Sequence, residues 1–421
     1  MMLARILGLG CLLLLAGCQN AAQSKTSIRF ANWGGAADDS DFSRLLKEIY
    51  AEFEVEHPDL SLRVEGIPGS QEYVNKLLLS FVADSEPDVI TLDASSAAVF
   101  IDSGVLADLT PLIQSDPEFK LDDYWANAVQ ISQRGDKTYA IPLDFTPIVM
   151  YYNRRMFREA GIPEPQSGWS YDDFLAAAQK LTKPDQFGFM FASRMPEWIT
   201  WLWNNGGDVL DPKTRKAVGT LDSLQNVATL TYLRDMINHH KVAPNVAEVT
   251  SGGVDYFNEG KAAMKVSGHW SLVGRAVKSS KVPLEDVGVV ALPTNLAKPV
   301  TVMYEAGFAI GKNSRNKEAA WKFIKFMTSH RVQVRYNASG VAICGRRDVA
   351  EAKNDQRLER IFNEIVPTAR PPWGASVEGY AIVEDIGQRM MNAVMNQGKP
   401  IEQALREAAV EIDRELESNQ L

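Results

Sequence analysis

Cysteine is scarce: the 421 residues hold three, Cys11, Cys18 and Cys344. Cys11 lies in an N-terminal leader and Cys18 at its end, which leaves Cys344 alone. That excludes an internal disulfide or a cysteine metal site, and Cys344 reads as a small buried apolar residue. The five histidines, His57, His239, His240, His269 and His330, show no metal-ligand spacing with a carboxylate partner. No long Lys/Arg run occurs and the formal net charge is −9, so the basic surface that a nucleic-acid groove needs is missing. The phosphate-binding loop, the glycine-rich dinucleotide fingerprint, the zincin helix and the hydrolase nucleophile elbow are all absent. The 53 acidic residues would always offer some carboxylate pair, so their number is no sign of a glycosidase. Internal repeats and low-complexity blocks are lacking as well. An apolar fraction of 45% and a charged fraction of 23% are those of a globular protein long enough for two lobes.

A long hydrophobic run is missing too. In "MMLARILGLGCLLLLAGC", Arg5 precedes an uncharged stretch from Ile6 to Gly17, short of the ~20 residues that a spanning helix needs. Residues 1–17 therefore read as a secretory signal. The run Leu15-Ala16-Gly17-Cys18 resembles a bacterial lipobox, which implies cleavage before Cys18 and a lipid on its sulfur. Residues 18–26 would be a lipidated tether holding the body to an extracytoplasmic membrane face. Gln19, where an aspartate would favour inner-membrane retention, hints at outer-membrane sorting if the cell is Gram-negative, and the envelope type stays open.

What is present is an alternation of α and β patterns. Ile28 and Phe30 mark a strand ending at Asn32, Trp33, Gly34 and Gly35. Phe42, Leu45, Leu46, Ile49, Tyr50 and Phe53 then share one helical face. A strand at Leu60, Leu62 and Val64, a helix at Tyr73, Leu77, Leu78 and Phe81, and the strand "PDVITLD" complete β-α-β-α-β, the pattern of a mostly parallel sheet. "GWSYDDFLAAAQKLT" carries a helix with Ser170 as N-cap and Asp173 as capping-box partner. "FGFMF" reads as a strand, Leu224 to His239 as a helix, and "VGVVALP" and "EAGFAIGKN" as strands. Ala320, Phe323, Ile324 and Met327 give another helix face, and paired helices close the chain.

Three irregular stretches stand out, near residues 140, 290 and 341. "YAIPLDFTPIVMYYN", broken by Pro142 and Pro147, is too long for one strand and too irregular for one helix. Three such passages between two α/β lobes make a multi-strand hinge around a cleft. In "FNEGKAAMKVSGHW", a helix ending at Gly260 leads into a strand from Ala262 to Val266. Gly268 then turns the chain and delivers Trp270 at the strand's carboxyl end, the ligand side of open α/β sheets.

Five stretches in this order, "IPLDFTPIVMYYNRRMFREAGIPEP", "GWSYDDFLAAAQKLT", "FNEGKAAMKVSGHW", "GVVALPTN" and "GFAIGKNSRNKEAAWKFIKFMTS", resemble the family 1 extracellular solute-binding proteins of ABC importers, the maltose-binding type. The resemblance implies a two-lobed α/β periplasmic-binding-protein fold of class II, each lobe a mostly parallel sheet flanked by helices. Residues 27–140 and 290–340 would form lobe 1, and 141–289 and 341–421 lobe 2. It implies a monomeric, cofactor-free, non-enzymatic receptor that captures a sugar or short oligosaccharide and presents it to membrane permease subunits. A glycerol-phosphate-type or quaternary-amine ligand, a secreted carbohydrate-active enzyme and a sensor partner are the alternatives. "GVAICGRRD" departs from the family at Cys344, where a proline is frequent.

A sugar offers apolar C–H faces and a rim of hydroxyls, so its receptor needs flat aromatic rings and fixed carboxylates or arginine. By position the ring candidates are Trp33, Trp201, Trp270 and Trp373, with Trp203 competing with Trp201. The family motif implies for Trp270 a stacking role on sugar rings. Trp125, Trp169 and Trp321 read as core. The polar candidates are Asp93, Asp144, Glu305 and Arg346, while Arg347 reads as a solvated surface charge. Trp33, Asp93 and Glu305 would come from the first lobe, and Asp144, Trp201, Trp270, Arg346 and Trp373 from the second or the hinge.

Overall fold

The opening alternation becomes strand β1 (Thr26–Asn32), helix α1 (Asp41–Glu56), β2 (Leu60–Gly66), α2 (Ser70–Val82) and β3 (Val89–Asp93). β1 pairs in parallel with both β2 and β3. The structure is a computed structural model and describes residues 25–32, 41–67, 70–272, 279–353 and 356–418.

"YAIPLDFTPIVMYYN" forms two strands, β4 (Ala140–Pro147) and β5 (Val149–Asn153), which belong to two different sheets. One residue, Ile148, separates them, so the chain passes from sheet to sheet as nearly continuous extended backbone. β5 is the middle strand of a small sheet between β6 (Met264–Ser267) and β7 (Val287–Val290). The chain returns as β8 (Thr301–Ile310), which pairs antiparallel with β3 and β4 in the large sheet. β9 (Ile343–Cys344) adds to β4, giving the order β9-β4-β8-β3-β1-β2, and β10 (Ala369–Arg370) pairs with β8.

Where the small sheet was expected to be mostly parallel, β6 and β7 both pair antiparallel with β5. β5 enters directly from β4 without a crossover helix, so the rule that makes βαβ units parallel does not act on it. "FGFMF" is no strand but two single bridges, Phe187 to Ala262 and Met190 to Lys265. The expected helix end at Gly260 is a turn whose glycine has φ 69°, and the strand begins at Met264 rather than Ala262.

The capping box of α3 (Tyr171–Leu181) is present in full, with Ser170 and Asp173 bonded reciprocally. α3, α4 (Met195–Asn204) and α5 (Leu224–Asn238) surround the small sheet. α6 (Lys317–Met327) and α7 (His330–Ala338) lie with α1 on the large sheet, where Phe30, Phe53, Phe308 and Phe323 interlock. α8 (Arg357–Ile365), α9 (Tyr380–Met395) and α10 (Ile401–Ser418) follow, and the last two pack into the core of the small-sheet lobe. Cys344 is buried with a free thiol.

Candidate functional site

At the carboxyl end of β3, Asp93 stands opposite Ala306 of β8, and on the other side of Ala306 stands Asp144 of β4. Directly paired residues share a face, so one small side chain separates two carboxylates. Burial pushes both up. For Asp93 this works against hydrogen bonds from Ser95, and for Asp144 against the Tyr336 hydroxyl, leaving Asp144 at about 7. Glu305, one residue along β8, is 1% exposed and neither of its carboxyl oxygens has a partner. Burial, reinforced by Asp144 and Asp93, holds it well above the ordinary carboxylate range.

Asp93 opens onto a cavity of about 480 Å³ between the two lobes. The large-sheet side contributes Asp93, Ser95 and Tyr304. The other wall holds Arg194 and Met195 at the start of α4, Trp270, and Glu384 with Gln388, which sit one turn apart on α9. Arg194 is already bound to Glu197 at 2.6 Å. Glu384 has neither a hydrogen bond nor an ion pair among the described residues, and burial, then Asp93, push it up to about 7.

Trp270 is 43% exposed, on a short 3-10 turn, His269–Leu272. The preceding glycine is required by space. A Cβ on Gly268 would fall 2.5 Å from the Trp270 ring and 2.5 Å from the Thr146 methyl on β4. The Gly268 carbonyl accepts the Tyr151 hydroxyl at 2.7 Å, which ties the turn to β5. His269 is 1% exposed, and its Nε2 lies 3.1 Å from both oxygens of Glu359 on α8. The ring that faces the cavity is therefore held from beneath.

Burial alone would raise Glu359, but the His269 hydrogen bond and charge, with Lys353, bring it below 4.5. A carboxylate depressed by folding stabilises the fold above its unfolded pKa, and that contribution is lost as pH falls through the folded value. Wild type should therefore exceed Glu359→Gln in urea-denaturation stability at about pH 7, with the gap closing by about pH 3. A gap independent of pH would contradict the pairing.

Several expected site residues are elsewhere. Trp201 is 0% exposed, packed by the rings of Tyr171, Phe174 and Phe189. Trp203 is buried too, its Nε1 donating to Asp208 at 2.7 Å. Neither faces the cavity, because α4 is buried around most of its circumference. Trp201→Ala should cost about 3–5 kcal/mol of stability, read by urea denaturation, with ligand affinity per folded molecule unchanged. Trp373 is likewise buried, and its Nε1 donates at 2.7 Å to the same Asp208 oxygen. Arg346 is bound to Asp123 at 2.8 Å and Asp348 at 3.0 Å on a surface pocket of the large-sheet lobe, away from the cleft. Trp33 and Cys18 lie outside the described residues. Trp169 and Trp321 are core, Trp125 is partly buried against it, and Arg347 is exposed.

The sequence reading missed Tyr304, Arg194, Glu384 and Gln388. An acid and an amide one turn apart in "VEDIGQRM" were a faint signal, indistinguishable from a solvated face.

A two-lobed α/β body with a cavity walled from both sides is the architecture of a solute receptor. Residues 36–334 match the bacterial extracellular solute-binding proteins, and the chain belongs to that family. It is similar to the multiple sugar-binding protein of Streptococcus mutans, 25% identical over 367 residues that cover 80% of each chain. Among solved structures it resembles an ABC substrate-binding protein of Listeria monocytogenes in complex with cycloalternan. That likeness has TM-score 0.81 and 25% identity over 93% of this chain and 99% of that one. A Mycobacterium tuberculosis protein in complex with glycerophosphocholine shares the fold, with TM-score 0.79 and 19% identity over 94% and 100% of the chains. Among the described residues, no helix is long and apolar enough to cross a membrane, and no group of three or more potential ligands could hold a metal ion.

Proposed function

We propose that this chain is the receptor of an ABC importer that captures a sugar or short oligosaccharide between its lobes and hands it to the permease. The observation that carries the reading is Trp270, a large apolar ring left half open to a cavity whose other wall is Asp93 on the opposite lobe. An aromatic face and a carboxylate supply the two contacts that a sugar needs, stacking on C–H groups and charge-assisted bonds to hydroxyls. Because the two groups sit on different lobes, a ligand touching both favours the closed arrangement by its differential contacts. Asp144, across β8 from Asp93, and Glu305, beside the Ala306 that separates them, tune the charge of that wall. Cys18 would carry the lipid that keeps the receptor beside its permease, and no bond of the ligand is made or broken.

Isothermal titration of residues 19–421 against neutral mono- and oligosaccharides tests the reading. One sugar should bind saturably and be recovered chemically intact after dialysis. Recovery of a cleaved product would replace the receptor by an enzyme, and failure of every carbohydrate to bind would overturn the ligand class.

A further inference from the structure

We propose that the ligand of this cavity carries a cationic nitrogen, seated between Asp93 and Glu384, while a flat face of the same molecule lies on Trp270. The second half rests on the sugar-receptor reading above; the first does not.

Among the described residues, neither Asp93 nor Glu384 has a cationic partner. Asp93 and Glu384 face one cavity from opposite lobes, and among the described residues the one basic side chain in its wall, Arg194, is engaged by Glu197. Glu197 is itself buried, with its second carboxyl oxygen unpartnered. Behind the wall, Tyr304 feels Glu384, Asp93 and Glu197 together, and all three raise it further after burial has done so. Asp144 and Glu305 add two more carboxyls near Asp93, again without a basic neighbour bonded to them among the described residues.

Closing the lobes on a neutral ligand would bury these groups with hydroxyls as their partners. Hydroxyls hydrogen-bond to a carboxylate but do not cancel its charge, so on a neutral ligand these groups must either take up protons or face like charges in a drier site. A protonated amine or quaternary ammonium removes that repulsion and also suits the open face of Trp270. Burial, then Asp93, already push Glu384 up to about 7, with no positive neighbour among the described residues to lower it.

Three trisaccharides of one shape separate the cases: the β-1,4-linked trimers of glucosamine, N-acetylglucosamine and glucose, titrated into the lipid-free chain at about pH 7, with choline as a cation lacking a sugar. The glucosamine trimer should bind about tenfold or more tightly than the other two, and Glu384→Gln should bring the three close together. Equal binding of the three trimers by wild type, or a neutral trimer binding best, overturns the cationic ligand and leaves the sugar reading standing. Choline binding that Glu384→Gln abolishes, with no trimer bound, upholds the cation and overturns the sugar. Failure of all four probes to bind counts against both.

Discussion

Trp270→Ala is expected to weaken binding of the tightest-binding sugar by about 10- to 100-fold while shifting the thermal midpoint by no more than about two degrees. The two halves of this result come from one fact: the ring is 43% exposed, so its removal opens no core cavity and takes away only a surface poised for something else. Calorimetric titration reads the first half and scanning fluorimetry the second. Wild-type affinity in the variant would return Trp270 to an ordinary surface residue. A large loss of stability would make it a core residue that happens to reach solvent.

Gly268→Ala should do nearly as much damage without touching any group that meets the ligand. Its new methyl would lie 2.5 Å from ring carbons of Trp270 and from the Thr146 methyl. Thr146 is buried on β4 and cannot yield, so the half-exposed indole must swing away. Affinity should fall by about tenfold or more, with a stability loss of about 1–3 kcal/mol from the strain left on the turn. A combined Gly268→Ala, Trp270→Ala chain should lose little more affinity than Trp270→Ala alone, because both act through one ring. Additive losses would show that Gly268 acts elsewhere.

This answers why a glycine precedes a tryptophan at the end of a strand, and it marks what the sequence could show. The strand, the turn and the aromatic are local, and local patterns read well; the same holds for the α3 capping box and for Pro147, beside which the chain changes sheets. Trp201 was misplaced because α4 is apolar on nearly every side, so periodicity could not say which tryptophan turns outward. Trp373 is fixed by Asp208, which also holds the nearby Trp203, and Arg346 by Asp123, both partners far away in the chain. Such pairings are set by the fold as a whole. Glu384 was hidden for the opposite reason: an acid on a helix looks solvated until another lobe is laid across it.

The cavity itself is best tested by the crystal structure of the lipid-free chain with the tightest binder of the titrations. The account predicts the ligand between the lobes, a flat face on Trp270 and polar groups on Asp93 and Glu384. Density for it on the surface pocket beside Arg346, with the cleft empty and Trp270 untouched, would contradict the account.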